Sequence, residues 1–251
     1  MIDEVYKALL IQSQEQAKEL LEMLKKSNKL IDELSRMLNC SNSVFKNDPE
    51  LFIRRRIDYI RNSSLYEKLS KDPAIIIHII PEDFQANKMS DLKLINKDEI
   101  VHSLVPHRAS GADYCFNADG FMVCDDLNNI KYYNLMLRNE ALESFTYLRT
   151  DHSEPSIFEA YFLNDLNKII SDGIQTLNKV FKSTKFKVYI SLNQVQSVRI
   201  SRINGYHGPF KIDNLYLPEI ELSSTVTPDE IKTALKYPLQ IMYQSCNTRY
   251  L

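Results

Sequence analysis

The sequence predicts an α+β protein: an N-terminal long, coiled-coil-like helix followed by an antiparallel-sheet body covered by helices. Three patterns carry that prediction. Apolar or small residues keep a heptad spacing from Tyr6 to Leu38 with no internal Gly or Pro. The run Ile75-Ile76-Ile77-His78-Ile79-Ile80 stands between Pro73 and Pro81, as expected for a strand buried on both faces. Turn-forming residues at 117–120, 125–129 and 138–140 then separate four apolar runs, which reads as a meander of consecutive strands. Strand runs followed by helical runs favour an α+β body over a wound parallel sheet.

In chain order, the heptad seam contains Leu10, Ala17, Leu24, Ile31 and Leu38 at one position and Leu20 and Leu34 at the other. Leu9, Met23, Leu30 and Met37 widen the stripe beyond a two-stranded seam, so the helix needs more than one neighbour. Those seven seam residues are the expected homo-oligomer interface, with docking on the chain's own body as the alternative. Residues 1–46 are accordingly read as an oligomerising or docking helix, 47–72 as a connecting helix and 73–251 as the α+β body.

Asn47-Asp48-Pro49 starts the second helix, with Asn47 or Asp48 as cap and Pro49 in the first turn. Ile53, Ile57 and Ile60 mark one face, while Arg54, Arg55, Arg56 and Arg61 form a cluster able to contact phosphate. Asp58 and Glu67 nearby favour a solvated or intersubunit face for them. His78, inside an apolar strand, reads as a core histidine. In the meander, Asn117-Ala118-Asp119-Gly120 supplies the first turn, and Asn139 is able to take a left-handed conformation in the third.

Helical spacing returns from Ser153 to Phe181, with Phe158, Phe162, Leu166, Ile169, Gly173, Leu177 and Val180 on one face. Phe186–Leu192 alternates as a strand, Val198–Arg202 as another, and Ile203–Gly208 as a loop. Leu215–Leu222 is read as one further strand. Thr227-Pro228-Asp229-Glu230 is a capping box, and Pro238 interrupts the last helix near Tyr237.

A net charge of −2 over 251 residues gives no global field toward nucleic acid or an anionic membrane. The acidic start Met1-Ile2-Asp3-Glu4 and the lack of an apolar run near 20 residues predict a cytoplasmic protein with no membrane partner. Cys40, Cys115, Cys124 and Cys246 are too scattered for a zinc ribbon or disulfide framework and read as small buried residues. Asp113, Asp119, Asp125 and Asp126 cluster at two turns, but lack calcium-loop spacing and serve turns for backbone reasons; His102, His107 and Cys115 are spaced irregularly. No metal or cofactor is expected. Five glycines leave no phosphate cradle, and no Gly-x-Ser-x-Gly elbow is present. The best polar constellation is Arg138, Asn139 and Glu143, where the arginine either satisfies carbonyls or pairs with Glu143. A ligand or partner contact there is the alternative, which Arg149 and His152 would extend. Tyr206 and His207 are candidate recognition residues in a Gly-containing loop.

Several blocks then bear on family. They are Arg56–Ile60, Ile75–Pro81, Tyr114–Phe121, Leu137-Arg138-Asn139 with Glu143, Val188–Leu192, Ile212–Glu219 and Tyr243-Gln244-Ser245. In this order they resemble the C-terminal region of bacterial proteins described as ATP-binding or helix-turn-helix, whose N-terminal part is a Schlafen-type, AlbA-like DNA-binding domain. The resemblance spans about residues 50–251. It implies the fold, a bacterial origin and a defence or stress setting. The AlbA-like domain itself is replaced here by the heptad segment, so nucleic-acid binding does not carry over, and no activity of the shared region does either. The expected function is a non-catalytic, oligomerising accessory, scaffold or sensor subunit with a protein partner. Nucleic-acid binding through Arg54, Arg55, Arg56 and Arg61 is the alternative, and a hydrolase is the third reading.

Overall fold

The computed structural model describes residues 48–62, 73–92, 97–106, 111–127, 130–148, 156–202 and 205–246. The heptad helix expected over residues 1–46 and its seam lie outside the described residues.

Helix α1 (Pro49–Asn62) starts where the sequence places it, because Asp48 Oδ1 accepts from the backbone N–H of Glu50 at 3.0 Å and of Leu51 at 3.2 Å. Strand β1 (Ala74–Pro81) then enters the centre of an eight-stranded sheet, antiparallel to β5 (Leu142–Tyr147) on one side and β7 (Lys185–Asn193) on the other. The expected meander is present: β2 (Asp113–Phe116), β3 (Gly120–Cys124), β4 (Tyr132–Leu137) and β5 pair successively from the sheet edge inward to β1.

Alternation along β1 divides the core. Ile75, Ile77 and Ile79 join the cluster of Phe162, Leu166, Ile170, Ile174 and Leu177 from helix α3 (Glu159–Phe181). Ala74, Ile76 and Ile80 belong to the opposite cluster with Ile53, Ile57 and Ile60 of α1. A strand with both faces covered is apolar throughout, which is why it reads as a continuous isoleucine run.

Several local expectations are corrected. The third meander turn puts Glu140, not Asn139, in the left-handed region (φ 69°). Glu140 is held there by Lys88 Nζ and Ser90 Oγ, each donating to its carboxylate at 2.6 Å. An additional helix, α2 (Lys97–Leu104), precedes the meander. The described start of α3 is Glu159, preceded by strand β6 (Ser156–Phe158), and its buried stripe runs through Ile170 and Ile174 while Phe158 is exposed. Strand β8 (Arg199–Arg202) leaves the main sheet and pairs with β6 and with β9 (Gly205–His207), so the expected loop is partly a strand.

Leu215–Leu222 is broken into β10 (Leu215–Tyr216) and β11 (Ile220–Ser223), both paired with β7. Four steps from Tyr216 to Ile220 face three from Ser191 to Val188, which is a bulge at the site where Pro218 lacks an N–H. The Thr227–Glu230 capping box forms at the start of α4 (Pro228–Ala234). The break before α5 (Lys236–Gln244) falls at Leu235, upstream of the expected kink, because Pro238 cannot donate to the carbonyl of Ala234 four residues earlier.

Two glycines are required by close approach. A Cβ on Gly173 of α3 would lie 2.4 Å from Ile79 Cδ1, and one on Gly120 would lie 2.0 Å from the Met136 carbonyl oxygen. The second contact is backbone and cannot be relieved by a rotamer change. Gly120→Ala should therefore destabilise the protein by about 3 kcal/mol or more; a urea-unfolding midpoint equal to wild type would show that β3 and β4 tolerate the separation.

Candidate functional site

The polar cluster of the core lies on the α1 side of the sheet. His78 occupies an even position of β1 and so faces α1, directly opposite Glu143 of β5. Tyr133 reaches the same point from β4, and Arg56 enters from α1. Asp119, in the turn between β2 and β3, closes the group.

Glu143 and His78 are 0% exposed. Arg56 grips the carboxylate with two donors, Nε to Oε2 at 2.9 Å and Nη2 to Oε1 at 2.9 Å. The Tyr133 hydroxyl donates to Oε1 at 3.0 Å, and His78 Nε2 lies 3.1 Å from Oε2. A carboxylate has about four lone-pair sites, and these four donors occupy them. Because an ionised carboxylate only accepts, the proton of His78 is assigned to Nε2. Its Nδ1 has no hydrogen-bond partner among the described residues, and the Phe52 ring packs edge-on at 6.4 Å. Arg56 Nη1 also donates to Asp119 Oδ2 at 3.0 Å, and the guanidinium carbon sits 5.1 Å from the Tyr59 ring centroid.

Electrostatics follow from this geometry. Burial pushes the Glu143 carboxyl up, but the Arg56 charge and the hydrogen bonds from Arg56 and His78 outweigh it and hold the group well below the usual carboxylate range. Burial likewise opposes charge on Arg56, and Glu143 and Asp119 more than offset it. The pair is ionised at any pH at which the protein is folded by this contact. Chemically the arrangement is an anchor: every carboxylate site is filled, and it ties α1 to β1, β4, β5 and the first meander turn.

A second pin lies at the end of α1. Arg61 Nη2 donates to Asn193 Oδ1 at 2.6 Å and to Asn214 Oδ1, linking the helix to the end of β7 and the segment before β10. Of the four clustered arginines, Arg56 is buried, Arg61 is half-buried, and Arg54 and Arg55 are exposed.

The structure separates Arg138 from Glu143. Arg138 donates to the carbonyls of Ala118 at 3.1 Å and Asn117 at 3.3 Å, and Asn139 Oδ1 accepts from the Ala141 N–H at 3.4 Å. Both stabilise turns. Asp113 and Asp125 accept backbone N–H groups, from Leu127 at 3.1 Å and Lys131 at 2.9 Å respectively. Among the described residues no three His, Cys, Asp or Glu side chains are grouped to hold a metal. His207 stands on β9, its ring 5.8 Å from that of Tyr243, and Tyr206 is on the same strand. Cys124 and Cys246 are buried, and burial pushes both thiols up to about 12; Cys115 is half-buried. His102 is exposed, and Cys40, His107, Arg149 and His152 lie outside the described residues.

Arg56, His78, Tyr133 and Asp119 are not grouped with Glu143 by sequence reasoning, although one signal places the first of them. Residues 53, 56, 57 and 60 follow the i, i+3, i+4, i+7 spacing, so Arg56 lies on the same helix face as Ile53, Ile57 and Ile60. Comparison of the chain with protein-family models, with curated proteins and with solved structures found no match.

Glu143→Gln should cost about 3–5 kcal/mol, since it leaves Arg56 buried with only Asp119 as a counter-charge. The double change Arg56→Met with Glu143→Leu should cost less than the sum of its single changes, measured as a coupling free energy by urea unfolding. The acid limb follows from the sign of the shift. The folded pKa of Glu143 is below its unfolded value of about 4.3, so its contribution is complete above that pH and is lost as pH falls through the folded value. Wild type should therefore lose stability below about pH 4, and Glu143→Gln should flatten part of that slope. Parallel acid limbs for the two proteins would contradict the assignment.

Proposed function

We propose that this chain is a non-catalytic accessory, scaffold or sensor subunit of a bacterial cytoplasmic system, oligomerising through the heptad segment and offering its α+β body to a protein partner. The observation that carries the non-catalytic part is the saturation of Glu143. This carboxylate, the one held furthest below its ordinary range among the described residues, has all its acceptor sites filled by Arg56, Tyr133 and His78 and no exposed surface. A catalytic carboxylate needs a free site for substrate or water. The ordered resemblance of its sequence blocks to the Schlafen-associated region supports the bacterial, defence or stress setting.

The heptad pattern supports self-association, and exposed Tyr59, Tyr114, Tyr161 and Tyr237 supply aromatic contact area for a partner. None of the described helices is long and apolar enough to cross a membrane. Exposed Arg54 and Arg55, with exposed Tyr59 on the same helix, favour nucleic acid as the second reading. Against it, Arg54 already faces Glu50 at 4.0 Å, and Arg56 and Arg61 are engaged with the sheet.

Light scattering across a concentration series should give a multimer for the full chain and a smaller species for Leu20→Asp with Leu34→Asp. A wild-type monomer at micromolar concentration would remove the oligomer from the proposal. Retention of DNA or RNA that weakens with salt and disappears on Arg54→Ala with Arg55→Ala would move the reading to nucleic acid.

A further inference from the structure

We infer that β2 is a second self-association surface, at which the main sheets of two copies of this chain join edge to edge about a twofold axis at Tyr114. The contact deepens the self-association proposed above and rests on it for local concentration.

The two ends of the sheet differ. At one end β10 and β11 are interrupted at Pro218, and Lys187 pairs there with Glu219 at 3.0 Å and Glu221 at 3.6 Å. Proline, a bulge and charge are devices that keep an edge strand from pairing with another chain. β2, the last described strand at the other end, carries no proline or lysine, and its register with β3 is unbroken. Its one charged side chain, Asp113, is engaged with the N–H of Leu127 at 3.1 Å.

The ladder shows which groups this edge presents. Asn117 N–H donates to the Gly120 carbonyl at 2.9 Å, so residues 117 and 120 are a hydrogen-bonded pair of the β2–β3 hairpin. Such pairs alternate along an antiparallel ladder, so 115 with 122 and 113 with 124 bond to each other, and the N–H and C=O of Tyr114 point away from β3. The Arg138 N–H bond to the Asp119 carbonyl at 3.0 Å gives the same parity, because it directs residues 121 and 123 toward β4.

A second copy fits this edge. Across a twofold axis at Tyr114, that residue exchanges two hydrogen bonds with its own copy, Asp113 stands opposite Cys115, and no like charges face each other. Tyr114, 50% exposed in the single chain, meets its copy on the α3 side of the sheet, beside Phe121. A ladder this short falls well below the roughly 1,000 Å² that a stable interface needs. It therefore suits a copy already held nearby by the heptad segment, and not an extended peptide that must also be ordered.

Cysteine crosslinking of the full chain tests the contact, with Cys40→Ser and Cys115→Ser in the background and copper phenanthroline catalysing oxidation by air. A hydrogen-bonded pair has Cα atoms about 5.5 Å apart, within disulfide range. Tyr114→Cys should therefore give a covalent dimer linked through residue 114, and faster than Ala118→Cys in the exposed turn beside it. Absence of the linked peptide, or equal rates, would overturn the edge contact. A multimer by light scattering without that link leaves the heptad reading standing. A link at residue 114 in a chain whose mass ignores Leu20→Asp with Leu34→Asp supports the edge and removes the heptad instead. In the wild-type chain, hydrogen exchange of the Tyr114 amide should slow as protein concentration rises. Fast exchange at every concentration would overturn the contact, and this measurement decides should Tyr114→Cys fail to fold.

Discussion

The burial of Glu143 is the constraint on which the α1 side of the body depends. Removing an ion from water costs several kcal/mol even after relaxation, and is offset only by an opposite charge in good geometry with the remaining lone pairs satisfied. Here the two-donor grip of Arg56, the Tyr133 hydroxyl and His78 meet that condition together. None can leave without stranding a charge or a polar atom in a dry core. The cost falls on positions, since α1 must sit where a guanidinium at residue 56 reaches β5, and β1 must be in the register that sets His78 opposite Glu143. Isoleucines alone would hold the layers together, but would tolerate sliding of a helix over a smooth apolar face. A bidentate pair does not.

The opposite face is organised differently. There α3 lies on β1 and β5 through apolar contact, and its close approach rests on Gly173 against Ile79 and Leu142. Specificity on that side comes from shape, whereas on the α1 side it comes from charge. The polar detail on the α3 side includes the Thr227 capping box on α4, Asn167 of α3 donating to the Pro228 carbonyl, and Asn134 reaching the carbonyl of Leu104 at the end of α2. The same sheet therefore presents two kinds of interface, according to which parity of each strand faces which layer.

This division explains what can be read in the sequence. Apolar periodicity and turn chemistry report on local structure, so β1, the meander, α3 and the capping box are legible. Long-range polar pairing leaves no periodic trace. Arg56 and Glu143 are separated by 87 residues, and an arginine among three others invites a surface reading. Its spacing from Ile53 and Ile60 is the one local clue, since a charged side chain on an apolar stripe must have a buried partner. Choosing Glu143 as that partner requires the register of β1 with β5, which no single-sequence pattern contains. The bulge between β10 and β11 was half visible: Pro218 forbids a ladder donor, but the number of residues in the bulge is set by β7 across from it.

The position of the polar cluster also bears on where function can reside. A site that must bind or react needs unsatisfied groups, and pays for them in stability. The Glu143 group is the reverse case, satisfied at every lone pair and bounded by Phe52 and Tyr59. Its perturbed acidity is thus a product of architecture, of the sort that structural ion pairs produce as readily as active sites do. The outside of α1, with exposed Arg54 and Arg55, is held in fixed relation to the sheet by the two arginines on the inner side, Arg56 and Arg61. A surface on a helix that is pinned at two points presents its side chains with little conformational freedom, which lowers the entropic cost of recognition. Arg56 and Arg61 thereby set the angle at which the outer face of α1 stands relative to the sheet.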